Sequence, residues 1–449
     1  RQIEENCKIH LQANFIKLLI SPMFHETNKK HVVILGAGFG GVRVALKLAK
    51  QKTVALDIAL VDKNDYHEFH ADLYEVASAI FSDGKEAPNE KTAFHNLRST
   101  AVIPLQEIFR DMGVRLVKGE VTDVAVKNHA VSVRNAATRS EETLAYDILV
   151  IALGSCTNYY GIPHLKEFAL PFKNTDDALN IRNRIEESYI YKRWNERLRI
   201  VVAGGGLTGC ELVGELVGYV RKLEQTYGRL PEYTELIIIE KENELLGQVP
   251  VWMRKVAYER LRNLGVLVQC AMEISEVTAQ QLVLRNGKTV SYDVLVWTAG
   301  IVAQPVIQSL RGLAHNHHQC LTVTKTLRVA NYTDIFALGD ASYCYDATTN
   351  YAMPATAQTA VSQADVVAEN VLCTLRKKNL LPYRPIKTMW LISLGGKFAL
   401  ASLYGFRVWG MAGWLLKRRF SYSYFNSIVP KARAWRMWFR SLQIYGRND

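Results

Sequence analysis

The sequence predicts an α/β protein with two parallel, doubly wound sheets in one chain and a C-terminal module of different composition. Three observations predict it. Apolar runs bounded by glycine alternate with helix-like segments. The alternation occurs twice in the same order, the stretch from about Arg199 to Gly300 repeating the one before it. From Leu381 onward, aromatic and basic residues interleave and the alternation stops.

With 449 residues the chain exceeds one compact core. Segment 1–30 mixes acids with bases, lacks a signal-peptide layout and reads as an N-terminal extension. "HVVILGAG" and "LDIALVDK" are the first two parallel strands, and "VRLVKGEVTDVAVKNHAVSV" reads as an antiparallel meander. "YDILVIALGS" is a returning buried strand. "LRIVVAGGG", "TELIIIEKE" and the stretch from Val266 to Gly300 repeat the order, and "TDIFALGDA" returns to the first unit. These readings give a first domain at 31–170 with a return segment at 301–380, a second at 171–300, and a C-terminal module at 381–449.

Each repeat carries a glycine turn with its own chemistry. Gly36, Gly38 and Gly41 form GxGxxG directly after a buried strand: one glycine for the turn, one for close approach of a pyrophosphate, one for helix–strand packing. The following helix offers free N–H groups to phosphate. Asp62 closes the second strand, where an acid that binds ribose hydroxyls belongs. Gly204, Gly206, Gly209 and Glu240 repeat this set. A carboxylate at Glu240 repels a 2′-phosphate and favours NAD(H), although Lys241 follows it. Both units are thus Rossmann-like dinucleotide-binding domains. Two dinucleotides in one chain suggest a relay between a resident flavin and a visiting nicotinamide. Asp340, after a strand returning to the first domain, suits FAD there. Glu211, two residues past Gly209 with Glu215 one turn later, is either a macrodipole partner or a group addressing the nicotinamide.

Seven widely spaced cysteines without CxxC argue against a disulfide framework or a structural zinc site, and no metal is required. Cys156 and Cys344 could approach a flavin from different segments, but no short dithiol loop exists, so electrons leave for an external acceptor. The net charge of +12 sits almost wholly after Leu381, where twelve Lys/Arg face one acid, Asp449. Five of the eight tryptophans lie there too: Trp390, Trp409, Trp414, Trp435 and Trp438. No apolar run approaches the roughly 20 residues that span a bilayer. In "KARAWRMWFRSLQIY", Trp435, Trp438, Phe439, Leu442 and Ile444 can share one helical side, with Lys431, Arg433, Arg436 and Arg440 mainly opposite. An amphipathic membrane-associating surface is the favoured reading. A protein interface, a nucleic-acid surface and a solvated face are the others.

With these motifs in this order, the chain resembles the type II, non-proton-pumping NADH:quinone oxidoreductases from roughly Lys30 to Arg440. "ALGSCTNYYGIP" from Ala152, "WTAG" from Trp297, "LGD" from Leu338, "PATAQTAVSQAD" from Pro354 and "LGGKFALA" from Leu394 complete the family's order. The resemblance implies non-covalent FAD lined by Gly36, Ala37, Gly38, Phe39, Gly40, Gly41, Asp62, Lys63, Val121, Ala152, Gly154, Asp340 and Ala357. It implies NADH at Gly204, Gly206, Thr208, Gly209, Glu240 and Gly300. It further implies quinone near Gln358, Lys397 assisting quinone protonation, and Glu211 beside the nicotinamide. The expected partners are a quinone and anionic lipids at the cytoplasmic or equivalent inner face of a membrane, without nucleic acid, and a homodimer is compatible. A sulfide:quinone oxidoreductase and a non-catalytic FAD/NADH sensor are the rival readings. Where the family reads approximately "YHxFxPLLYQVA", this chain has "YHEFHADLYEVA", so Ala71, Asp72 and Glu75 replace apolar or neutral residues. Thr359 and Ser362 likewise make the stretch around Gln358 more polar.

Overall fold

The computed structural model describes residues 29–80, 97–193, 195–316, 319–346, 351–386 and 389–445. The expected extension lies outside these up to position 28.

The first unit opens with β1 (Lys30–Leu35), α1 (Phe39–Lys50) and β2 (Leu56–Asp62). A short strand β3 (Tyr66–Glu68) and helix α2 (Leu73–Ser78) follow. Next come β4 (Val114–Lys118), the antiparallel trio β5 (Glu120–Ala125), β6 (Ala130–Arg134) and β7 (Glu141–Ala145), and β8 (Ile148–Ile151). β9 (Ser155–Thr157) leads out to the second unit.

That unit contains β10 (Leu170–Pro171), α3 (Thr175–Tyr191), β11 (Leu198–Ala203), α4 (Leu207–Thr226), β12 (Thr234–Ile239), α5 (Val251–Asn263) and β13 (Leu267–Gln269). The trio β14 (Ile274–Val277), β15 (Gln281–Leu284) and β16 (Thr289–Ser291) precedes β17 (Val294–Trp297). β18 (Ile301–Ala303) runs back antiparallel to β9, and β19 (Ile335–Ala337) rejoins the first sheet.

The two central sheets have matching orders, β19-β8-β1-β2-β4 and β10-β17-β11-β12-β13, with every neighbour parallel. Such strands are covered on both faces, which is why β1, β8, β11 and β17 are near-continuous apolar runs. Val114–Lys118 belongs to the parallel sheet and not to the meander, which starts at Glu120. Apolar residues at Leu116 and Val117 do not separate the two settings, and Gly119 marks the break.

After α6 (Ala357–Leu375), the C-terminal region forms an antiparallel sheet of β20 (Trp390–Ser393), β21 (Ala399–Leu403) and β22 (Phe406–Gly410), then α7 (Met411–Ile428) and α8 (Lys431–Tyr445). The buried stripe of α7 runs Gly413, Lys417, Ser421, Phe425, Ile428, a helical spacing that includes a lysine and has Arg418 beside it. Two of the tail's basic residues therefore point inward. On α8 the buried side is Ala434, Met437 and Ser441, with Trp438 donating to the Arg418 carbonyl at 2.9 Å. Trp435 and Phe439 stack on each other on the exposed side. The expected single apolar face thus divides, because small residues and Met437 seat the helix and two large rings are left outside. No helix among the described residues is long and apolar enough to cross a membrane.

Candidate functional site

At the first turn, Gly36 has φ +98°, and a Cβ there would lie 2.4 Å from the Ala152 carbonyl oxygen. A Cβ on Gly41 would stand 1.8 Å from the Gly36 oxygen, and one on Gly40 would strike Leu338. Gly38, in contrast, has open space where its Cβ would be, and it caps α1 without any side chain on the helix N–H groups. Asp62 reaches back to this turn: its Oδ2 accepts from Ala37 N at 2.6 Å and its Oδ1 from Asn64 N at 2.8 Å. Burial pushes its pKa up, against these two bonds. Lys63 is exposed beside it, and Val121 is buried at the start of the meander, close to where Gly119 N meets the Asp62 carbonyl.

The remaining first-site residues converge on the same end of the sheet. Ser155 donates to Asp340 Oδ2 at 2.6 Å and receives a 2.8 Å bond from Lys173 Nζ. Gly339 N donates to Gln363 of α6, and α6 begins at Ala357 and Gln358. Gly154 has φ +69° and open space at its Cβ position. Phe39 turns its ring into a cluster with His67, Phe69 and Tyr424.

The second turn repeats the first closely. A Cβ on Gly209 would lie 1.9 Å from the Gly204 oxygen, whereas Gly206 is exposed with open space. Glu240 Oε2 accepts from Gly205 N at 2.6 Å and its Oε1 from Glu242 N at 2.9 Å. Thr298 Oγ1 donates to the Ala203 and Gly204 carbonyls, placing the Ala299–Gly300 turn against Gly204. Thr208 is exposed at the start of α4. Both turns therefore fit a dinucleotide: open space at the middle glycine, helix N–H groups free of side-chain caps, and a carboxylate anchored at two backbone N–H groups with lone pairs left for ribose.

Glu211 lies where α4, α7 and β20 meet. Its Oε1 accepts from Lys417 Nζ at 2.5 Å and from Ser393 N at 3.2 Å. Burial raises its pKa, and the lysine opposes that rise. Lys417 Nζ also sits 4.4 Å from the centre of the Tyr74 ring, whose hydroxyl lies 3.1 Å from Ser393 Oγ. One residue further along α7, Arg418 bonds Glu75 and stands 3.7 Å from Asp72. Gln358 Oε1 accepts from Met389 N at 3.2 Å, and its buried Nε2 has no partner among the described residues. Such a donor suits a bound acceptor oxygen.

The lysine brought to Glu211 is Lys417, and Lys397 stands elsewhere. Lys397 is exposed at the β20–β21 turn, where Gly395 abuts Gly214 of α4 and Arg260 of α5 covers the Leu394 and Gly395 carbonyls. Sequence reading missed Lys417, Arg418, Ser155, Lys173, His67 and Tyr424. For Lys417 the signal was its place on the apolar period of α7. His67 Nδ1 is 2.9 Å from the Ala37 carbonyl and its Nε2 is 2.8 Å from the Tyr424 hydroxyl, so α7 is tied to the first glycine turn. Among the described residues all cysteines are free. Cys156 and Cys344 have separate sulfur contacts, to the Ala303 and Tyr345 carbonyls, and burial pushes the Cys156 thiol up, away from the reactive thiolate.

The family model described as pyridine nucleotide-disulphide oxidoreductase matches residues 30–364. The chain is 31% identical over 404 residues to a demethylphylloquinone reductase of Synechocystis sp., covering 88% of this chain and 92% of that protein. It is 27% identical to a type II NADH:quinone oxidoreductase of Haemophilus influenzae, over 83% and 87% of the two chains. The solved structure of NDH2 from Plasmodium falciparum in complex with NADH shares the fold, with a TM-score of 0.80 at 19% identity over 93% of this chain and 99% of that one. With two matching dinucleotide turns and homologues among the type II NADH:quinone oxidoreductases over most of its length, the chain belongs to the pyridine nucleotide-disulphide oxidoreductase family.

Proposed function

We propose that the protein is a membrane-peripheral flavoenzyme that oxidises NADH and reduces a quinone, without pumping protons. The observation that carries this reading is the duplicated turn, in which Asp62 and Glu240 accept backbone bonds of equal length from Ala37 and Gly205. The names of the similar proteins supply the acceptor class: one is a demethylphylloquinone reductase and another a NADH:quinone oxidoreductase. FAD, when bound, supplies the group that takes a hydride from NADH and returns two electrons to the quinone.

The chain's own residues do the positioning. Gly38 and the α1 N–H groups receive the FAD pyrophosphate, Asp62 its ribose hydroxyls, and Asp340 its ribityl or phosphate region, held by Ser155 and Lys173. Glu240 takes the NADH ribose, and its negative charge disfavours NADPH. Gln358 Nε2 offers a hydrogen bond to the quinone headgroup. Reducing a quinone with NADH consumes one proton per turnover. Lys417 Nζ and Glu211 Oε1 hold a proton between them in a water-poor junction, so Lys417 takes the protonating role first expected of Lys397.

The membrane side is supported by exposed Phe406, Trp409, Met411, Leu415, Trp435 and Phe439, interleaved with exposed Arg407, Arg419 and Arg436. The testing experiment is turnover of wild type and Glu211→Gln with NADH and a soluble quinone analogue, against NADPH and sulfide as donors. Wild type is expected to oxidise NADH with the quinone, and the variant to lose most of that rate. Turnover with sulfide but not NADH overturns the reading.

A further inference from the structure

The two central sheets end in matching rows. In the first, Val61, Leu35, Ile151 and Ala337 stand level across β2, β1, β8 and β19. In the second, Ile239, Ala203, Trp297 and Pro171 stand level across β12, β11, β17 and β10. One residue past each row come the ribose acid, Asp62 or Glu240, and the turn glycine, Gly36 or Gly204. A dinucleotide with its adenosine ribose at the acid and its pyrophosphate at the glycine turn extends onward over the two remaining strand ends. FAD therefore runs toward the end of β19, and NADH toward the end of β10.

The ends of those two outer strands are joined by side chains. Three residues past Ala337 is Asp340, and two past Pro171 is Lys173. Lys173 Nζ donates to Ser155 Oγ at 2.8 Å, and Ser155 Oγ donates to Asp340 Oδ2 at 2.6 Å. The ammonium itself stands 3.8 Å from that carboxylate oxygen. Lys173 is fixed at its other end as well. Its backbone N donates to Asp177 Oδ2 at 2.8 Å, within the box that caps α3. Glu68 of β3 accepts from both the N and the Oγ1 of Thr175, tying the start of α3 to the first unit. The Lys173 side chain is 31% exposed and that of Asp340 21%, so neither group is sealed in a core.

We propose that Lys173 is a cation at the meeting point of the two dinucleotides and that it raises the reduction potential of the bound flavin. This rests on the reading of the chain as an NADH-oxidising flavoenzyme. A hydride passing between the reactive halves carries two electrons and one proton. A C–H bond of the nicotinamide breaks, an N–H bond of the flavin forms, and the flavin side gains one unit of negative charge. A positive charge held in place beforehand favours the state in which that charge has arrived. The carboxylates of Asp340 and Glu68 act at the same junction with the opposite sign, and Lys173 offsets them.

The test is a reductive titration of the flavin-loaded protein against a reference dye of known potential, without NADH or quinone. Wild type is compared with Lys173→Met, Lys173→Arg and Ser155→Ala. Lys173→Met is expected to move the flavin–dye equilibrium about tenfold toward oxidised flavin, or about 30 mV for a two-electron couple. Lys173→Arg should restore most of that shift. Ser155→Ala keeps the charge but removes the bond that holds it, and should give a smaller shift in the same direction. An unchanged potential in Lys173→Met overturns the proposal even if the variant melts earlier, because a lysine that only latches the units moves the melt and not the potential. If Lys173→Met holds no flavin, an unchanged potential in Ser155→Ala overturns it instead. A wild type that binds no flavin removes the functional reading and the proposal together. A flavin-loaded wild type whose potential is indifferent to Lys173 removes the proposal alone.

Discussion

Lys417 Nζ donates to Glu211 Oε1 at 2.5 Å, joining a helix of the C-terminal region to the first turns of the second dinucleotide helix. Both side chains are largely buried. Replacing Lys417 with Met leaves Glu211 as an unpaired buried carboxylate, which costs about 3–5 kcal/mol when one partner of such a pair is removed. Denaturant unfolding of Lys417→Met is expected to show a loss of that order. Lys417→Met combined with Glu211→Met should recover most of it, and a double variant as unstable as the single one counts against the pairing.

One open and one packed glycine of the second turn separate binding from folding. Gly206→Ala meets nothing within 4 Å at an ordinary negative φ, so the fold should tolerate it while NADH binding weakens. Gly209→Ala drives a methyl to 1.9 Å from the Gly204 oxygen and should compromise the second unit itself. Thermal melts beside NADH titrations distinguish the two outcomes, and equal melting losses in both variants would refute the assignment of Gly206 to phosphate approach.

His67 gives a pH signature. A carbonyl only accepts, so Nδ1 donates to Ala37 and Nε2 accepts from Tyr424. Burial lowers the His67 pKa from 6.5 to about 4. The unfolded chain therefore binds a proton there first, and the stability is full above the ordinary value. It declines as pH falls from about 6.5 to about 4, by on the order of 3 kcal/mol. Unfolding free energy measured across that range should fall less steeply in His67→Gln than in wild type; parallel slopes would show that burial does not hold His67 neutral.

Surface attachment is read from Phe406 and Trp409, both exposed on the β22 strand. Phe406→Ser with Trp409→Ser should cut sedimentation with anionic vesicles several-fold and leave NADH oxidation by a water-soluble quinone analogue intact. Retained sedimentation places the lipid contact elsewhere.

The glycine turns, their acids and the returning strand at Ile335–Ala337 were legible because each depends on residues close in sequence or on a continuous apolar run. The outer strand at Val114–Lys118 was merged with its neighbours because a half-buried edge strand has no pattern of its own. Charge misled most. Lys417 and Arg418 counted toward a basic surface, yet their partners Glu211, Asp72 and Glu75 lie more than 200 residues away in the chain. Nothing local to "LLKRRF" announces that. Asp72 and Glu75 did stand out as acids in an apolar setting, but an oddity in one segment does not name its answer in another.

The α7 contacts have a bearing on ancestry. A helix that bonds Glu75 through Arg418, Glu211 through Lys417 and His67 through Tyr424, and sets the Arg418 guanidinium 3.7 Å from Asp72, cannot drift independently of the segments it meets. In descendants of this lineage, neutral residues at 72 and 75 should arrive together with a neutral residue at 418. A C-terminus grafted from a relative that lacks those acids would leave two carboxyls stranded, so the tail is inherited with the catalytic body rather than exchanged as an anchor.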